Sequence, residues 1–447
     1  MKPPYRLLLL LGCLLTLGHS TQAQKRYKKK HILKDLKELD GFHQAYVGFV
    51  LFDPATGKTL ACQNDDKYMT PASNTKLYTF YAGTKLLGKA VPALQYTIQG
   101  DSLIFWGTGN PLFLHPEHND KVALDFLASR KEKLYYWQRP IADQRFGPGW
   151  SWDDYNGYYS AEKSVFPIYG NSITAYLDRE QQDLSLTPDY FRPGFTAYTD
   201  SISPDRSRIW REETENQYRY YIGQPGDSDT PEIDTLTRPF LYSDALFTQL
   251  LADTLNRAVS FYQGTPDIAS ARTLSSLPAD TLYKHMLQPS DNLFAEQILL
   301  MASGMASDTL STQAAIGRMQ QEYFSTWQDE PLWVDGSGLS RYNMFTPRGM
   351  IQLLRVLYDE VGKERLFELL PAGGVSGTIA NWYGDENGPY VFAKTGTLSN
   401  NHSLTGYIKT DAGKTLLFTL TVNHYTHSTN KVRESMGIVL RKIKKAY

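Results

Sequence analysis

Three short segments constrain this chain more than anything else in it: Ser73-Asn74-Thr75-Lys76, Ser290-Asp291-Asn292 and Lys394-Thr395-Gly396. More than two hundred residues separate Ser73 from Ser290, so any fold that uses them together must bring distant stretches into one cleft. The chemistry of such a cleft is readable from residue types. A hydroxyl with a lysine one helical turn away is a minimal apparatus for a serine nucleophile that has no histidine. A second Ser/Asn pair can relay a proton, and a second Lys/Thr pair can grip a carboxylate.

Each match is weak alone. Ser-x-x-Lys recurs at Ser160/Lys163 and Ser428/Lys431, and Ser-x-Asn at Ser399/Asn401, whereas Lys-Thr-Gly occurs once. Context separates Ser73 from its decoys. It follows Pro71-Ala72 at a predicted helix start, where backbone N–H groups are unsatisfied, and Lys76 shares its helical face. Ser160 falls in an aromatic, strand-like region, and Ser428 reads as a helix cap.

The rest of the chain sets the frame. Its 447 residues suffice for two to four domains, and 41% hydrophobic with 21% charged residues suits a globular protein. A net charge of −1 gives no case for a nucleic-acid partner. Lys2 and Arg6, the apolar Leu7–Leu17 run and Thr21-Gln22-Ala23 read as a signal peptide over residues 1–23, and the apolar run is too short to span a bilayer. The chain is therefore expected to be exported to the periplasm without a stable membrane span. Leucines continue past Cys13, so Leu10–Cys13 is read as signal, not as a lipidation site. Cys62 is then the one mature cysteine and reads as a small packing residue.

Periodicity predicts hairpins at 45–63 and 404–422, helices from Pro71, Asn292 and Thr346, and a terminal amphipathic helix over 431–445 that docks on a sheet or lies on a membrane. Between them, from about residue 96 to 264, segments are short, aromatic and strand-like, with Gln224–Asp229 as an exposed loop. The predicted organisation is a catalytic domain in two halves, 24–95 and 265–447, split by a mainly β insertion of one or two subdomains. The nine histidines show no metal signature, and His424-x-x-His427 reads as a surface loop, so no metal or other cofactor is expected.

Pro71–Lys76, Pro289–Leu293, Asp335–Arg341, Ala393–Leu398 and Leu404–Tyr407, in this order and with this large gap, resemble the low-molecular-mass class C penicillin-binding proteins, the D-alanyl-D-alanine carboxypeptidases/endopeptidases of serine peptidase family S13. The resemblance covers nearly the whole mature chain. It implies an α/β, β-lactamase/transpeptidase-like domain, an antiparallel sheet flanked by helices. It also implies peptidoglycan peptides as substrates and β-lactams as covalent inhibitors. On this reading Ser73 attacks the carbonyl between two D-alanines and Lys76 is the base, lowered by burial and by the like charge of Lys394. Ser290 passes a proton to the leaving amine, Asn292 holds the substrate amide, and Lys394, Thr395 and Gly396 bind the terminal carboxylate. The N–H groups of Ser73 and Thr397 form the oxyanion hole.

The resemblance further implies that Asp154 and Tyr159 of the insertion, with Arg341, hold a free amino-acid end of the stem peptide. An interdomain ion pair is the alternative for Asp154 and Arg341. Ser399 occupies a place where relatives can carry a longer amide side chain. Gly373–Thr378 reads as a structural loop. Two rivals remain: a serine β-lactamase and a wall-binding protein without activity. The only Glu-x-x-x-Asn match before or between the motifs, Glu212/Asn216, precedes Ser290, which is the wrong place for a deacylating glutamate.

Overall fold

The computed structural model describes residues 27–118, 120–198, 206–224 and 232–447. The expected signal peptide, Cys13 and residues 225–229 of the expected loop lie outside them.

The chain builds a five-stranded antiparallel sheet from its two ends. Its order is Val391–Leu398, Asn401–Lys409, Thr415–Asn423, Tyr46–Asp53 and Lys58–Gln63. The 46–53 strand is buried at every position but the first, since helices cover both faces. Alternation sorts its residues into two cores. Val50 and Phe52 join Phe392, Tyr407 and Leu417 beneath the helices Lys76–Leu86, Asn292–Gly304 and Pro347–Glu360. Phe49 and Leu51 join Leu404, Phe418 and Leu420 on the other face, under the terminal helix Thr429–Ala446. Burying each such side chain contributes about 1.5–3 kcal/mol. Val432, Met436, Val439, Leu440 and Ile443 are all fully buried, so the terminal helix spends its apolar face on the sheet. No helix among the described residues is long and apolar enough to cross a membrane.

A second five-stranded sheet runs Val259–Phe261, Lys133–Tyr136, Ser102–Trp106, Ala90–Gln99, Arg272–Pro278. The chain enters and leaves it through its two neighbouring antiparallel strands, 90–99 and 272–278. The inserted unit thus begins ahead of residue 96 and continues past residue 264. Pro92 hid the first strand: proline is rare inside a ladder, and here it sits where the register shifts. Two three-stranded sheets complete the insertion, with helices Val122–Ser129 and Asp244–Leu255.

The two parts are joined by buried polar contacts. Gln297 donates to the carbonyls of Gly109 (2.7 Å) and Ser164 (2.8 Å) and accepts from Ser164 N–H. Trp150 Nε1 donates to Asp335 Oδ2 at 2.8 Å. Each neutral bond contributes about 1 kcal/mol net, and more would be lost if one partner were removed.

Candidate active site

The nucleophile turn is an irregular one. Ala72 has φ +49, and Ser73 follows in a 3-10 turn, Ala72–Thr75, that opens the 76–86 helix. Left-handed backbone at a non-glycine residue costs about 1 kcal/mol or more and clusters at functional sites. Ser290 shows the same trait, with φ +70, on the loop before helix 292–304, where Asp291 caps by accepting from Phe294 N–H. The strand 391–398 is the sheet's edge, and Ala393 N–H points outward to Pro371 O at 3.0 Å. Strand alternation therefore turns the N–H groups of Thr395 and Thr397 to the same open edge.

Gly396 brings that edge onto the nucleophile turn. A Cβ there would lie 2.3 Å from Pro71 O and 2.9 Å from Ser73 N. Gly338 does the same from the other side, where a Cβ would overlap Ala72 O. These close approaches seat the Ser73 turn between the Lys394 strand and the 335–341 loop, and Lys76 to Asn292 and Lys394 to Ser290 tie in the third motif. Ser73, Ser290, Asn292, Thr395, Thr397, Ser399, Asp154, Tyr159 and Arg341 all line one cleft of about 1010 Å³. Lys76 and Lys394 are fully buried beneath it. Gly396 itself is not among the lining residues; what the fold shows for it is the close approach to Pro71 and Ser73.

Lys76 Nζ lies 3.0 Å from Ser73 Oγ, 2.6 Å from Asn292 Oδ1 and 2.7 Å from Ser337 O. The last two can only accept. A neutral amine has two N–H groups for them, which leaves its lone pair facing the Ser73 hydroxyl. Burial pushes Lys76 down to about 8, while Asp291, Asp335 and Glu296 pull the other way. Lys394 Nζ donates to Ser290 Oγ and Thr395 O, both at 2.8 Å. Burial, with the charge of Lys76, holds Lys394 well below the ordinary lysine range. Desolvation is the largest cause at both amines, and the two like charges beneath one cleft oppose each other's protonation.

Asn292 is engaged at both ends of its amide. Its Oδ1 accepts from Lys76 and its Nδ2 donates to Tyr159 O at 2.8 Å. Tyr159 Oη donates to Asp154 Oδ1 at 2.6 Å, so Asp154 is engaged inside the insertion, not by Arg341.

Sequence reasoning missed several residues here. Thr378 lines the cleft and bonds Thr395 Oγ1 at 2.7 Å, which brings the 373–378 loop into the site. Arg433 of the terminal helix lines the far end. Glu296 is fully buried and accepts from Gly336 N–H (3.1 Å) and Ser337 N–H (2.8 Å), which fixes the carbonyl that Lys76 meets. Burial, with Asp335 beside it, lifts Glu296 to about 7. A glutamate within a helix carries no signal of burial in the sequence. His115 and His285 also line the cleft, and they stand together with His118. The sequence shows no signature for this group, because His285 lies far along the chain from the other two.

Comparison with known proteins agrees with this geometry. The model of the D-Ala-D-Ala carboxypeptidase 3 (S13) family matches residues 29–443. D-alanyl-D-alanine carboxypeptidase DacB of Haemophilus influenzae is 31% identical over 159 residues, which are 34% of this chain and 33% of that protein. The chain thus matches about a third of the length of the first curated relatives. The D-alanyl-D-alanine carboxypeptidase of an Actinomadura species is 25% identical over 86% of this chain and 78% of its own. Among solved structures, penicillin binding protein 4 of Haemophilus influenzae superposes with a TM-score of 0.73 at 19% identity, covering 93% of this chain and 99% of that one. With a match across nearly all of its described length, this chain belongs to the D-Ala-D-Ala carboxypeptidase 3 (S13) family.

Proposed function

We propose that this chain is a serine-type D-alanyl-D-alanine carboxypeptidase with DD-endopeptidase activity. It would act on peptidoglycan stem peptides in the periplasm through an ester at Ser73, and penicillins would acylate the same oxygen. The observation that carries the reading is the lone pair of Lys76, aimed at Ser73 Oγ from 3.0 Å by two carbonyl acceptors.

Ser73 Oγ attacks the scissile carbonyl as Lys76 takes its proton. The oxyanion forms against the N–H groups of Ser73 and Thr397, and losing one such donor costs about 3 kcal/mol. Ser290 gives its proton to the departing amine and is resupplied by Lys394, 2.8 Å away. A terminal carboxylate beside Lys394 and Thr395 favours the charged lysine that burial disfavours, so substrate binding draws a proton onto it. Lys76 sheds to solvent the proton it took from Ser73 and Lys394 regains one, which restores both amines; water then attacks the ester as Lys76 takes its proton, and Lys76 returns that proton to the departing Ser73 oxygen. Asp154 and Arg341, at the insertion side of the cleft, suit the ammonium and carboxylate of a zwitterionic peptide end.

A β-lactamase reading finds no support, since Glu212 pairs with Arg219 at 2.6 Å and does not line the cleft. Fluorescent penicillin tests the proposal: the native chain should label and hold the label for minutes, and Ser73→Ala should not label. Equal labelling of both would end the assignment of Ser73. Mass analysis of digested wall fragments tests the endopeptidase half, which fails if terminal D-alanine is lost and crosslinks survive.

A further inference from the structure

Beside the cleft, and outside the machinery just described, three imidazoles converge. One ring nitrogen each of His115, His118 and His285 lies within 4.8 Å of the others. The ring centroids are 5.2, 5.1 and 4.6 Å apart. His115 and His118 share a tight turn of the insertion, closed by His118 N–H to His115 O at 3.0 Å. His285 belongs to the catalytic domain, on the helix Ala279–Leu287.

We propose that His115, His118 and His285 bind one divalent transition-metal ion of the zinc class, which clips the insertion to the catalytic domain next to the Ser290–Asn292 loop. Imidazole suits zinc, nickel and copper, and three histidines with one further oxygen is a common zinc set. Two carboxylates stand ready to supply that oxygen or to orient a ligand: Asp291 Oδ2 is 3.7 Å from His285 Nε2, and Glu117 Oε2 is 3.7 Å from His285 Nδ1. His118 Nε2 is buried and has no hydrogen-bond partner, a loss that a metal bond would repair. His115 Nδ1 accepts a long bond from Glu117 N–H, 3.2 Å, so ligation through that nitrogen would exchange this bond for the metal. The nitrogens must also close from 4.8 Å to the separation a tetrahedral ion with bonds of about 2.0 Å requires, which side-chain rotation can supply.

The competing explanation is an aromatic cluster, since all three rings pack on Phe294 at 4.1–5.7 Å. The experiment uses the untagged chain, stripped with chelator, loaded with Zn2+ or Co2+ and desalted. The metal content, the Co2+ absorption spectrum and the thermal midpoint are then read. The expected result is one ion per chain, an intense four-coordinate Co2+ band and a midpoint raised by Zn2+. In His118→Asn and His285→Asn the ion and the midpoint shift should be lost, while circular dichroism reports that each variant is folded. If a variant does not fold, protection of the native histidines from diethyl pyrocarbonate by Zn2+, located by peptide mass, gives the same answer. No retained ion in the native chain, or an ion retained equally by both folded variants, overturns the proposal and leaves the aromatic cluster.

Discussion

Gly396→Ala isolates the contact that sets the nucleophile against the edge strand. No unusual backbone angle is at issue at Gly396; crowding is. The new methyl would meet Pro71 O at 2.3 Å, Ser403 Oγ at 2.6 Å and Ser73 N at 2.9 Å. Ser403 cannot simply turn away, because its hydroxyl donates to Pro71 O at 2.7 Å. Carbon contacts relax only near 3.5 Å, so the strand and the turn must part by about 1 Å. Such overpacking costs about 1–3 kcal/mol of stability. A misplacement of about 1 Å at a reacting centre costs on the order of a hundredfold in rate, close to 3 kcal/mol of barrier. The assay is the second-order rate of acylation by fluorescent penicillin, with circular dichroism as the check on folding. Gly317→Ala is the control: it lies in the helix Thr312–Met319 with nothing within 4 Å of the added methyl. It should acylate normally and gain up to about 1 kcal/mol of stability. A folded Gly396→Ala chain that acylates within twofold of native would refute the idea that this close approach shapes the oxyanion site.

Further outcomes follow from the same geometry. The neutral form of Lys76 is the base, so the acylation rate should rise with pH and level off above an inflection near 8. Lys76→Arg should abolish acylation, because a guanidinium stays charged, and a flat profile in the native chain would exclude Lys76 as the base. Glu296→Gln removes one of the carboxylates that hold Lys76 up, so the inflection should move to lower pH. The same change turns an amide N–H toward the N–H groups of Gly336 or Ser337 and should cost about 1–3 kcal/mol, read by thermal melting. An inflection unchanged in Glu296→Gln would break the electrostatic link. Asp154→Asn should slow hydrolysis of peptides that carry a free amino end while leaving penicillin acylation nearly unchanged; equal losses on both would make Asp154 a structural residue.

Much of this site is legible in the sequence because its chemistry sits in contiguous triplets. The Ser-x-x-Lys geometry follows from one helical turn, and the hairpins follow from alternation around Gly57 and Gly413, both at positive φ. What escapes is whatever depends on partners far along the chain. Glu296 and Gln297 look like the outer face of a helix, yet both are fully buried, since one braces the 335–338 loop and the other stitches the insertion in place. The strand 90–99 escapes because Pro92 disguises it, and its ladder partner is the 272–278 strand. The histidine cluster escapes for the same reason: His115 and His118 are close in sequence, but only the fold adds His285.

The insertion is therefore part of the catalytic geometry, not an ornament on it. A single amide makes the connection. Asn292 has Lys76 on its oxygen and the Tyr159 carbonyl on its nitrogen, so the position of the base is set in part by a loop of the inserted domain. Tyr159 is itself tied to Asp154, the cleft residue proposed above to meet a distal peptide end. On the proposed mechanism, a substrate that engaged Asp154 would bear on the Tyr159 loop, and through Asn292 on the nitrogen assigned to deprotonate Ser73. Binding energy gained far from the scissile bond would then have a short covalent and hydrogen-bonded path to the base, the kind of path by which remote contacts raise turnover and not affinity alone.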